Sequence, residues 1–170
     1  MNGQPPVIIE RYDPAWPAKF EDERRLIQPI LERWLVAPLE HIGSTAVPGL
    51  PAKAVIDIMG AVRDLETSRP AIEALKPLSY CYFPYKADSM HWFCKPSDLE
   101  RTHHLHLIPI DSKLWHERVA FRNQLRGDRA TREAYSELKH RLASQFRNDR
   151  EAYTDGKSEF IKSVLSRAVS

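Results

Sequence analysis

The sequence predicts an α/β or α+β fold with a helical C-terminal part, and three observations support this prediction. Short apolar runs separated by turn-forming residues, which are typical of strands, fill much of the chain before residue 112. From there to the end, apolar residues recur at helical spacing. The composition, with 42% hydrophobic and 28% charged residues, is that of a globular protein with a sizeable core. We therefore expect a single domain over residues 1–170, with a sheet core over about 1–111 and helices over about 112–170.

The segment before residue 43 predicts a helix between two strands. Asp13 and Pro14 indicate the helix start, because Asp caps the free amides of a first turn and Pro fits its first position. Apolar residues from Trp16 to Trp34 then recur at helical spacing, and Pro29 should kink or split this helix. The two strands are an edge strand at Val7–Ile9 and a second strand at Leu39–Ile42.

The remaining elements follow from apolar runs and the breaks between them. The run Ala54–Met59 is apolar except for Asp57, a pattern typical of a strand that is covered on both faces. It follows a loop rich in turn formers, Gly43–Pro51. The other predicted elements are a helix over about Pro70–Leu78, strands over Tyr80–Tyr85, Met90–Lys95 and His104–Ile110, and about three helices after Ser112, with breaks at Gly127 and at Asn148–Asp149.

The charge balance argues against nucleic acid or a membrane as the partner. The net charge is +2, and basic residues are interspersed with acidic ones along most of the chain. No apolar run approaches the roughly 20 residues that a membrane span needs. Met1–Pro6 lacks a basic start followed by an apolar stretch, so we expect no secretory signal. Cys81 and Cys94 form no CxxC pair and predict the reducing cytoplasm, with a disulfide between neighbouring strands as the alternative.

Two features of the segment around residue 50 point to chemistry. Asp57 lies inside an apolar strand run, and burying a carboxylate costs several kcal/mol unless a cation or hydrogen bonds compensate. The compensation could be structural, through loop amides, Lys53 or an arginine of the helical part. Gly43, Ser44 and Thr45 follow a strand, where a glycine lets a phosphate approach backbone amides and a serine hydroxyl. A plain tight turn is the alternative for this segment.

Together these features resemble the GrpB family. HIGSTAVPGLPAKAVIDIMGAV, residues 41–62, is similar to that family's His-x-Gly-Ser-Thr-Ala-Val-Pro-Gly-Leu segment and the Lys and Ile-Asp-Ile strand that follow it. The family belongs to the nucleotidyltransferase-like superfamily, whose signature is a Gly-Ser turn followed by an acidic strand. The resemblance covers nearly the whole chain and implies a mixed sheet flanked by helices. Further matching segments are Arg11–Pro17, His103–Leu107, Phe121–Arg122, Leu125–Arg126, Tyr135, Leu138–Lys139 and Lys157.

The resemblance implies a nucleotide site with a metal ion. Gly43 and Ser44 would hold the phosphates of a nucleotide, and Asp57 would be a ligand of Mg²⁺, which prefers oxygen ligands. Active members of the superfamily carry a second carboxylate two residues later on the same strand face. Here that position is Met59, whose thioether is a poor ligand for Mg²⁺. Nucleotidyl transfer with two metal ions is therefore in doubt.

Two histidines extend the candidate site. His104 and His106 are two residues apart on a predicted strand, so they share a face and could meet Asp57. They could bind Zn²⁺ or Mn²⁺ with Asp57, act as general acid or base, or donate hydrogen bonds to phosphate. A structural role in the core is the remaining alternative. His41 either faces the pocket or caps a strand end.

Several basic residues are candidates for binding the phosphates. Lys53 follows the glycine turn, where its ammonium group could neutralise phosphate or lie solvated in the loop. The others lie on predicted helices, where they either line a cleft that faces Asp57 or stay exposed. They are Arg122, Arg126, Lys139 and Lys157.

The first functional expectation is an enzyme that transfers a nucleotidyl group to a small molecule with a divalent metal. Asp57 would hold the metal, with His104 and His106 as the assisting catalytic groups. The alternative is a silent module that binds a nucleotide or another phosphorylated small molecule, which would suit an accessory role in CoA metabolism, since some family members resemble a domain beside a dephospho-CoA kinase. This chain has no GxxxxGK[ST] motif, so it is not itself that kinase. A third class, a protein-interaction domain, would need exposed aromatic residues such as Trp92 or Trp115.

Overall fold

The structure is a computed structural model that describes residues 5–168. Its strands are β1 (Glu40–Ile42), β2 (Ile56–Val62), β3 (Cys81–Phe83), β4 (His91–Pro96) and β5 (Arg101–Pro109). They form one sheet in the order β1-β2-β5-β4-β3, in which β2 and β5 are parallel and the other neighbouring pairs are antiparallel. The predicted mixed sheet is therefore confirmed, and its parallel pair lies at the centre.

Helices pack around this sheet and continue to the end of the described chain. They are α1 (Trp16–Leu31), α2 (Leu65–Ser68), α3 (Ala71–Ala74), α4 (Lys113–Gly127), α5 (Arg129–Gln145), α6 (Arg150–Asp155) and α7 (Ser158–Ala168). The predicted breaks at Gly127 and Asn148–Asp149 are confirmed, but four helices follow residue 112 instead of about three. The extra helix forms because Asp149 caps a short α6, accepting a hydrogen bond from the Ala152 amide at 3.0 Å.

The sheet is buried on both faces, as the apolar run of β2 predicts. One face packs against α1 through residues such as Ile27, Ile58 and Phe93. The opposite face carries Met59 and packs towards α4. A third apolar cluster joins the C-terminal helices to the loop after β1. The face towards α4 also carries Asp57, because side chains two residues apart on a strand point the same way.

For the N-terminal segment, the predicted strand at Val7–Ile9 is wrong, and so is the predicted split of the helix at Pro29. Val7–Ile9 forms no strand; the Val7 amide instead donates to the Arg147 carbonyl, and only Glu10 forms an isolated bridge, with Ala52. Pro29 does not split α1, which continues to Leu31. The proline stands in the last turn, where its missing amide removes a single helical hydrogen bond.

Other helix boundaries differ from the predicted ones because of local hydrogen bonds and turns. Helix α1 begins at Trp16 instead of Pro14, because Asp13 accepts from the Ala15 amide and closes a turn first. The single helix predicted over Pro70–Leu78 is α3 followed by a 3₁₀ turn at Lys76–Leu78. The short α2 was not predicted; Asp64 caps it.

The described chain contains two free cysteines. Cys81 and Cys94 are opposite each other on β3 and β4, so the expectation that they lie on neighbouring strands is confirmed, and their thiols are not joined. No helix within residues 5–168 is long and apolar enough to cross a membrane. Residues 1–4, which begin the stretch considered for a secretory signal, and residues 169–170 lie outside the described part.

Candidate active site

The turn after β1 brings a glycine against the carboxylate of β2. Gly43 has φ 74° and ψ −175°, a backbone conformation that is essentially restricted to glycine. A Cβ atom at this position would lie 2.6 Å from Oδ2 of Asp57. A 3₁₀ turn, Ser44–Ala46, follows immediately. The chain therefore uses glycine here for two reasons, its conformation and the space that Asp57 occupies.

Asp57 meets both predicted histidines because β2 and β5 are parallel neighbours. Asp57 is opposite His104 in the register, and His106 lies two residues further along the same face. Oδ1 of Asp57 is 3.0 Å from Nδ1 of His104 and 3.3 Å from Nε2 of His106. Both imidazoles thus use the same oxygen, and Oδ2 is left facing the Gly43 turn.

An arginine fixes the protonation of His106. The guanidinium of Arg118 on α4 lies 2.8 Å from Nδ1 of His106. A guanidinium can only donate, so Nδ1 must accept, and the ring proton resides on Nε2, which donates to Asp57. Burial and the charge of Arg118 lower the pKa of His106 to about 4, which keeps this ring neutral. His106 is therefore a hydrogen-bond donor to Asp57.

This assignment predicts one ring tautomer in solution. At about pH 7, long-range ¹H–¹⁵N correlation should show His106 protonated on Nε2 alone. Arg118→Met should raise the pKa of His106 above about 4, because the buried positive charge that lowers it is removed. A ring protonated on Nδ1 in the wild type would contradict the donor assignment.

Asp57 remains ionised although it is half-buried. Burial alone would raise its pKa, but the hydrogen bonds from His104 and His106 outweigh burial and hold the pKa well below the ordinary value. With a side chain 26% exposed, the carboxylate still reaches the cleft. A charged oxygen atom is therefore available at neutral pH beside the Gly43 turn.

The donor set fits a single cation that prefers oxygen. Ligand atoms of Asp57, His104 and His106 lie within 4.8 Å of one another, which makes them a candidate metal cluster. A three-ligand centre would require His106 to lose the Nε2 proton that it donates to Asp57. Met59 is fully buried in the apolar cluster below and presents no ligand to the cleft. What remains is Oδ2 of Asp57, which can share a hard cation with the oxygens of a bound phosphate.

Two of the predicted lysines line the same cleft, which has a volume of about 1080 Å³. The ammonium groups of Lys53 and Lys157 lie 5.2 Å and 4.5 Å from the centroid of the Tyr153 ring. Neither forms an ion pair with an acidic side chain of residues 5–168. Burial lowers the pKa of both, and the charge of Lys53 adds to this effect at Lys157, whose pKa falls to about 8. The cleft therefore holds two lysine ammonium groups that form no ion pair within residues 5–168, although acidic residues such as Asp155 also line it.

The other predicted basic residues donate hydrogen bonds to the backbone around the Gly43 turn, and two of the three lie outside the cleft. Arg126 donates to the Ala46 carbonyl at 2.9 Å, and Lys139 donates to the Pro51 carbonyl. Neither lines the cleft. Arg122 does line it, but its guanidinium is engaged by Glu40 at 2.5 Å and by the His41 carbonyl at 3.0 Å. These side chains satisfy loop carbonyls and fix the position of the Gly43 turn.

The hydroxyl groups of the turn differ in availability. Thr45 is buried; its hydroxyl donates to the Val55 carbonyl at 3.2 Å and lies 2.9 Å from Nε2 of His41. His41 itself stacks on Phe20, with ring centroids 4.8 Å apart, and lies outside the cleft lining, so it is structural. Ser44 lines the cleft and is half-buried. All three predicted phosphate-binding residues of the turn line the cleft, but Thr45 is buried, so Gly43 and Ser44 are the accessible ones.

Sequence reasoning missed the arginines that complete the cleft. Arg118 lies one helical turn before Arg122 on α4, and this spacing of four was the available signal. Arg101 and Arg150 also line the cleft, at the start of β5 and of α6. No motif marks them, because they come from segments that meet only in the folded chain.

The mixed sheet, the Gly43 turn and the carboxylate of β2 together define a nucleotidyltransferase-like fold. Among solved structures, the chain is similar to the Cid1 poly(U) polymerase with Mg 3′-dATP bound, with a TM-score of 0.54 and 13% identity, over 87% of this chain and 49% of that chain. At this level of identity the likeness concerns the fold alone. The chain belongs to the GrpB family, whose model, described as GrpB protein, matches residues 6–167.

Individual relatives agree with this assignment. A UPF0157 protein of Pseudomonas aeruginosa is 35% identical, over 93% of this chain and 66% of that protein. The glutamate-rich protein GrpB of Alkalihalophilus pseudofirmus is 31% identical, over 94% of each chain. The crystal structure of GrpB from Enterococcus faecalis has a TM-score of 0.85 and 32% identity, over 95% of this chain and 96% of that one. A dephospho-CoA kinase of Mycolicibacterium paratuberculosis is 31% identical, over 67% of this chain and 28% of that protein.

Proposed function

We propose that the cleft binds the triphosphate of a nucleotide together with one divalent cation, and that Mg²⁺ is the preferred cation. One observation carries this proposal: an ionised oxygen of Asp57 faces a glycine turn in the cleft that also contains two half-buried ammonium groups, Lys53 and Lys157, neither of which forms an ion pair within residues 5–168. A buried charge without a partner is costly. A bound metal–polyphosphate would supply the negative charge for the lysines and the positive charge for Asp57.

Each residue has a distinct part in this proposal. Gly43 lets phosphate oxygens approach the backbone, where the amides and the Ser44 hydroxyl donate to them. Lys53 and Lys157 neutralise the outer phosphates as point charges. Asp57 contributes one carboxylate oxygen to the cation, which would neutralise charge on the phosphates. His104 and His106 hold Asp57 in place through its other oxygen.

The donor set ranks the candidate cations. Mg²⁺ and Mn²⁺ accept carboxylate and phosphate oxygens, whereas Zn²⁺ favours nitrogen and sulfur ligands. Because His106 keeps its Nε2 proton for Asp57, the nitrogen ligands that Zn²⁺ would use are not both available. We therefore expect Mg²⁺ or Mn²⁺ to support binding better than Zn²⁺.

Binding without transfer is the function that Met59 favours. Alignment of an attacking hydroxyl by two metal ions needs a second carboxylate on the strand, and Met59 is fully buried at that position. Nucleotidyl transfer to a small molecule remains the second candidate. The superfamily fold and the ionised Asp57 support it, and it would require a single cation to suffice. The likeness to a dephospho-CoA kinase adds CoA-type compounds to the ligands to be tested.

A thermal-shift panel tests the proposal. Nucleoside triphosphates and CoA-type compounds, each with Mg²⁺, Mn²⁺ or Zn²⁺ or with a chelator, are added to the protein. A ligand at about 100 times its Kd should stabilise the fold by roughly 2.7 kcal/mol, or roughly 5–10 °C in Tm. Stabilisation that needs Mg²⁺ or Mn²⁺ supports the site, and product formation in the same samples would favour transfer over binding. No shift with any ligand would refute the nucleotide site.

Binding of a polyphosphate should also take up protons. In the free protein the pKa of Lys157 is about 8, so near pH 8 about half of these side chains are neutral. A polyanion beside the amine raises its pKa, and the neutral fraction becomes protonated, with an uptake of up to about half a proton. Calorimetry of tripolyphosphate binding in buffers of different ionisation enthalpy measures this number. The difference in proton uptake between the wild type and Lys157→Met isolates the lysine from the protons of tripolyphosphate itself, and equal uptake by the two proteins would contradict the assignment.

A further inference from the structure

We infer that the cleft contains a second anion subsite, formed by Arg101 and Arg150, which binds the oxyanion group of a second small molecule. This inference rests on the proposed function, since it assigns the Gly43 end of the cleft to the triphosphate. The ligand class is a small organic molecule with a phosphate or carboxylate group. In a transfer reaction this molecule would be the acceptor, and in a binding module it would be a co-ligand.

The two guanidinium groups converge on one short segment. Nε of Arg101 donates to the carbonyl of Asp98 at 3.0 Å, and Arg150 approaches the same carbonyl at 3.4 Å. Arg101 also contacts the Asp98 carboxylate. The pKa of Arg150 is lowered by burial and by the charge of Arg101. Two positive groups thus converge on Asp98, but only Arg101 forms an ion pair with its carboxylate, and both arginines line the cleft.

The chemistry of this pair suits an oxyanion. Guanidinium groups offer several N–H donors in a fixed plane, which match the oxygens of phosphate or carboxylate. Arg101 uses Nε and one terminal nitrogen on Asp98, whereas Arg150 makes one long bond, from a terminal nitrogen to the Asp98 carbonyl, so within the described residues Arg150 has N–H donors left over. An anion placed here would offset both the burial and the repulsion from Arg101 that lower the pKa of Arg150.

A continuous wall connects this pair to Asp57. The guanidinium of Arg101 lies 5.2 Å from the Trp92 ring centroid, and the Trp92 and His104 rings are 5.1 Å apart. His104 in turn donates to Asp57. Tyr85 packs edge-on against Trp92, with centroids 6.0 Å apart, and is 47% exposed. A planar molecule could therefore stack on Tyr85 with its anionic group at the arginines and its other end near Asp57.

The volume of the cleft leaves room for two ligands. At about 1080 Å³ it reaches the upper end of the roughly 300–1,000 Å³ range of small-molecule pockets. The lysines and the Gly43 turn would occupy one part of it, and the arginine pair and Tyr85 would occupy another. The positive charges of Arg101 and Arg150 both lower the pKa of Lys53. The two subsites are therefore close enough to interact electrostatically.

Calorimetric titration on the full chain tests the inference. The protein is first saturated with inorganic tripolyphosphate and Mg²⁺, and inorganic phosphate or acetate is then added in separate runs. We expect phosphate, acetate or both to bind the saturated protein, and binding to weaken about tenfold in Arg101→Gln and in Arg150→Gln. The affinity for tripolyphosphate should change by no more than about threefold. Arg147→Gln is the matched control, because Arg147 is exposed and is not part of the cleft lining.

The outcomes separate this inference from the proposed function. If neither anion binds the saturated protein, or if both arginine variants bind like the wild type, the second subsite is refuted while the triphosphate site stands. If tripolyphosphate does not bind but phosphate or acetate binding depends on the two arginines, the subsite stands and the proposed function fails. Tighter binding of phosphate than of acetate identifies a phosphorylated ligand, and the reverse order identifies a carboxylate. If Arg101→Gln does not fold, Arg150→Gln decides alone, since its contact to Asp98 is long.

Discussion

Gly43→Ala is expected to weaken binding of a nucleoside triphosphate with Mg²⁺ by at least about 100-fold. The added Cβ would lie 2.6 Å from Oδ2 of Asp57, the oxygen that faces the cation, so the carboxylate or the turn must shift. The backbone conformation, with φ 74°, adds about 1–3 kcal/mol of destabilisation. Equilibrium binding and thermal unfolding of the purified variant measure the two effects.

Gly49→Ala separates the clash from the backbone strain. Gly49 has φ 79°, close to that of Gly43, but a Cβ atom there meets nothing within 4 Å. This variant should lose a similar amount of stability from its backbone and keep wild-type affinity for the nucleotide. Equal affinities in the two variants would show that the space between Gly43 and Asp57 is not needed for binding.

Asp57→Asn is expected to abolish the dependence of nucleotide binding on the metal and to lower affinity by at least about 100-fold. The amide oxygen can still accept from His104 and His106, so the cost to folding should stay within about 2 kcal/mol. The lost group is the negative charge that would hold the cation. Titration of the nucleotide with Mg²⁺ and with a chelator measures the change.

Asp155→Asn is the control for Asp57→Asn, because it also removes one negative charge from the cleft lining. Asp155 lines the same cleft but is exposed, at the end of α6. Its neutralisation should leave metal-dependent binding within about twofold of wild type, because a solvated charge is screened. A comparable loss in both variants would mean that the overall charge of the cleft, and not Asp57 as a ligand, governs affinity.

The existence of most strands could be predicted from the sequence more reliably than the residues at which helices and strands begin and end. The run around Asp57 predicts a strand buried on both faces, and β2 is an interior strand of the sheet with the parallel partner β5. The burial of β2 on both faces could be predicted from its own residues, because apolar side chains on both faces of a strand must both be covered. The Val7–Ile9 strand was not formed because the Val7 amide pairs with the Arg147 carbonyl after α5, a contact that the local sequence does not indicate.

Within the site, residues on paired strands were predicted better than residues on helices. His104 and His106 are two residues apart on β5, so both side chains point to the same face of the sheet. Because β5 pairs with β2, both contact Asp57. Arg126 and Lys139 were expected to bind phosphate, but they donate to loop carbonyls. Helical spacing alone does not tell which element a long basic side chain will reach. That choice depends on where the carbonyls of the loop lie, which only the folded chain decides.

The role of His106 shows what the sequence could not supply. A His-x-His strand beside an aspartate is compatible with a metal centre and with a hydrogen-bonded support. The choice between them depends on Arg118, which comes from α4 and donates to the far nitrogen of the ring. One contact from a distant element thus favours Mg²⁺, the first expectation, over the Zn²⁺ that the two histidines also allowed.

The most direct test of the central claim is a crystal structure with Mn²⁺ and a non-hydrolysable nucleoside triphosphate, with anomalous data to locate the metal. We predict one Mn²⁺ ion within about 2.5 Å of Oδ2 of Asp57, with phosphate oxygens completing its coordination next to Gly43 and Lys157. The imidazoles of His104 and His106 should remain hydrogen-bonded to Oδ1. A metal ion bound by the histidine nitrogens, or a triphosphate located away from the Gly43 turn, would contradict the account.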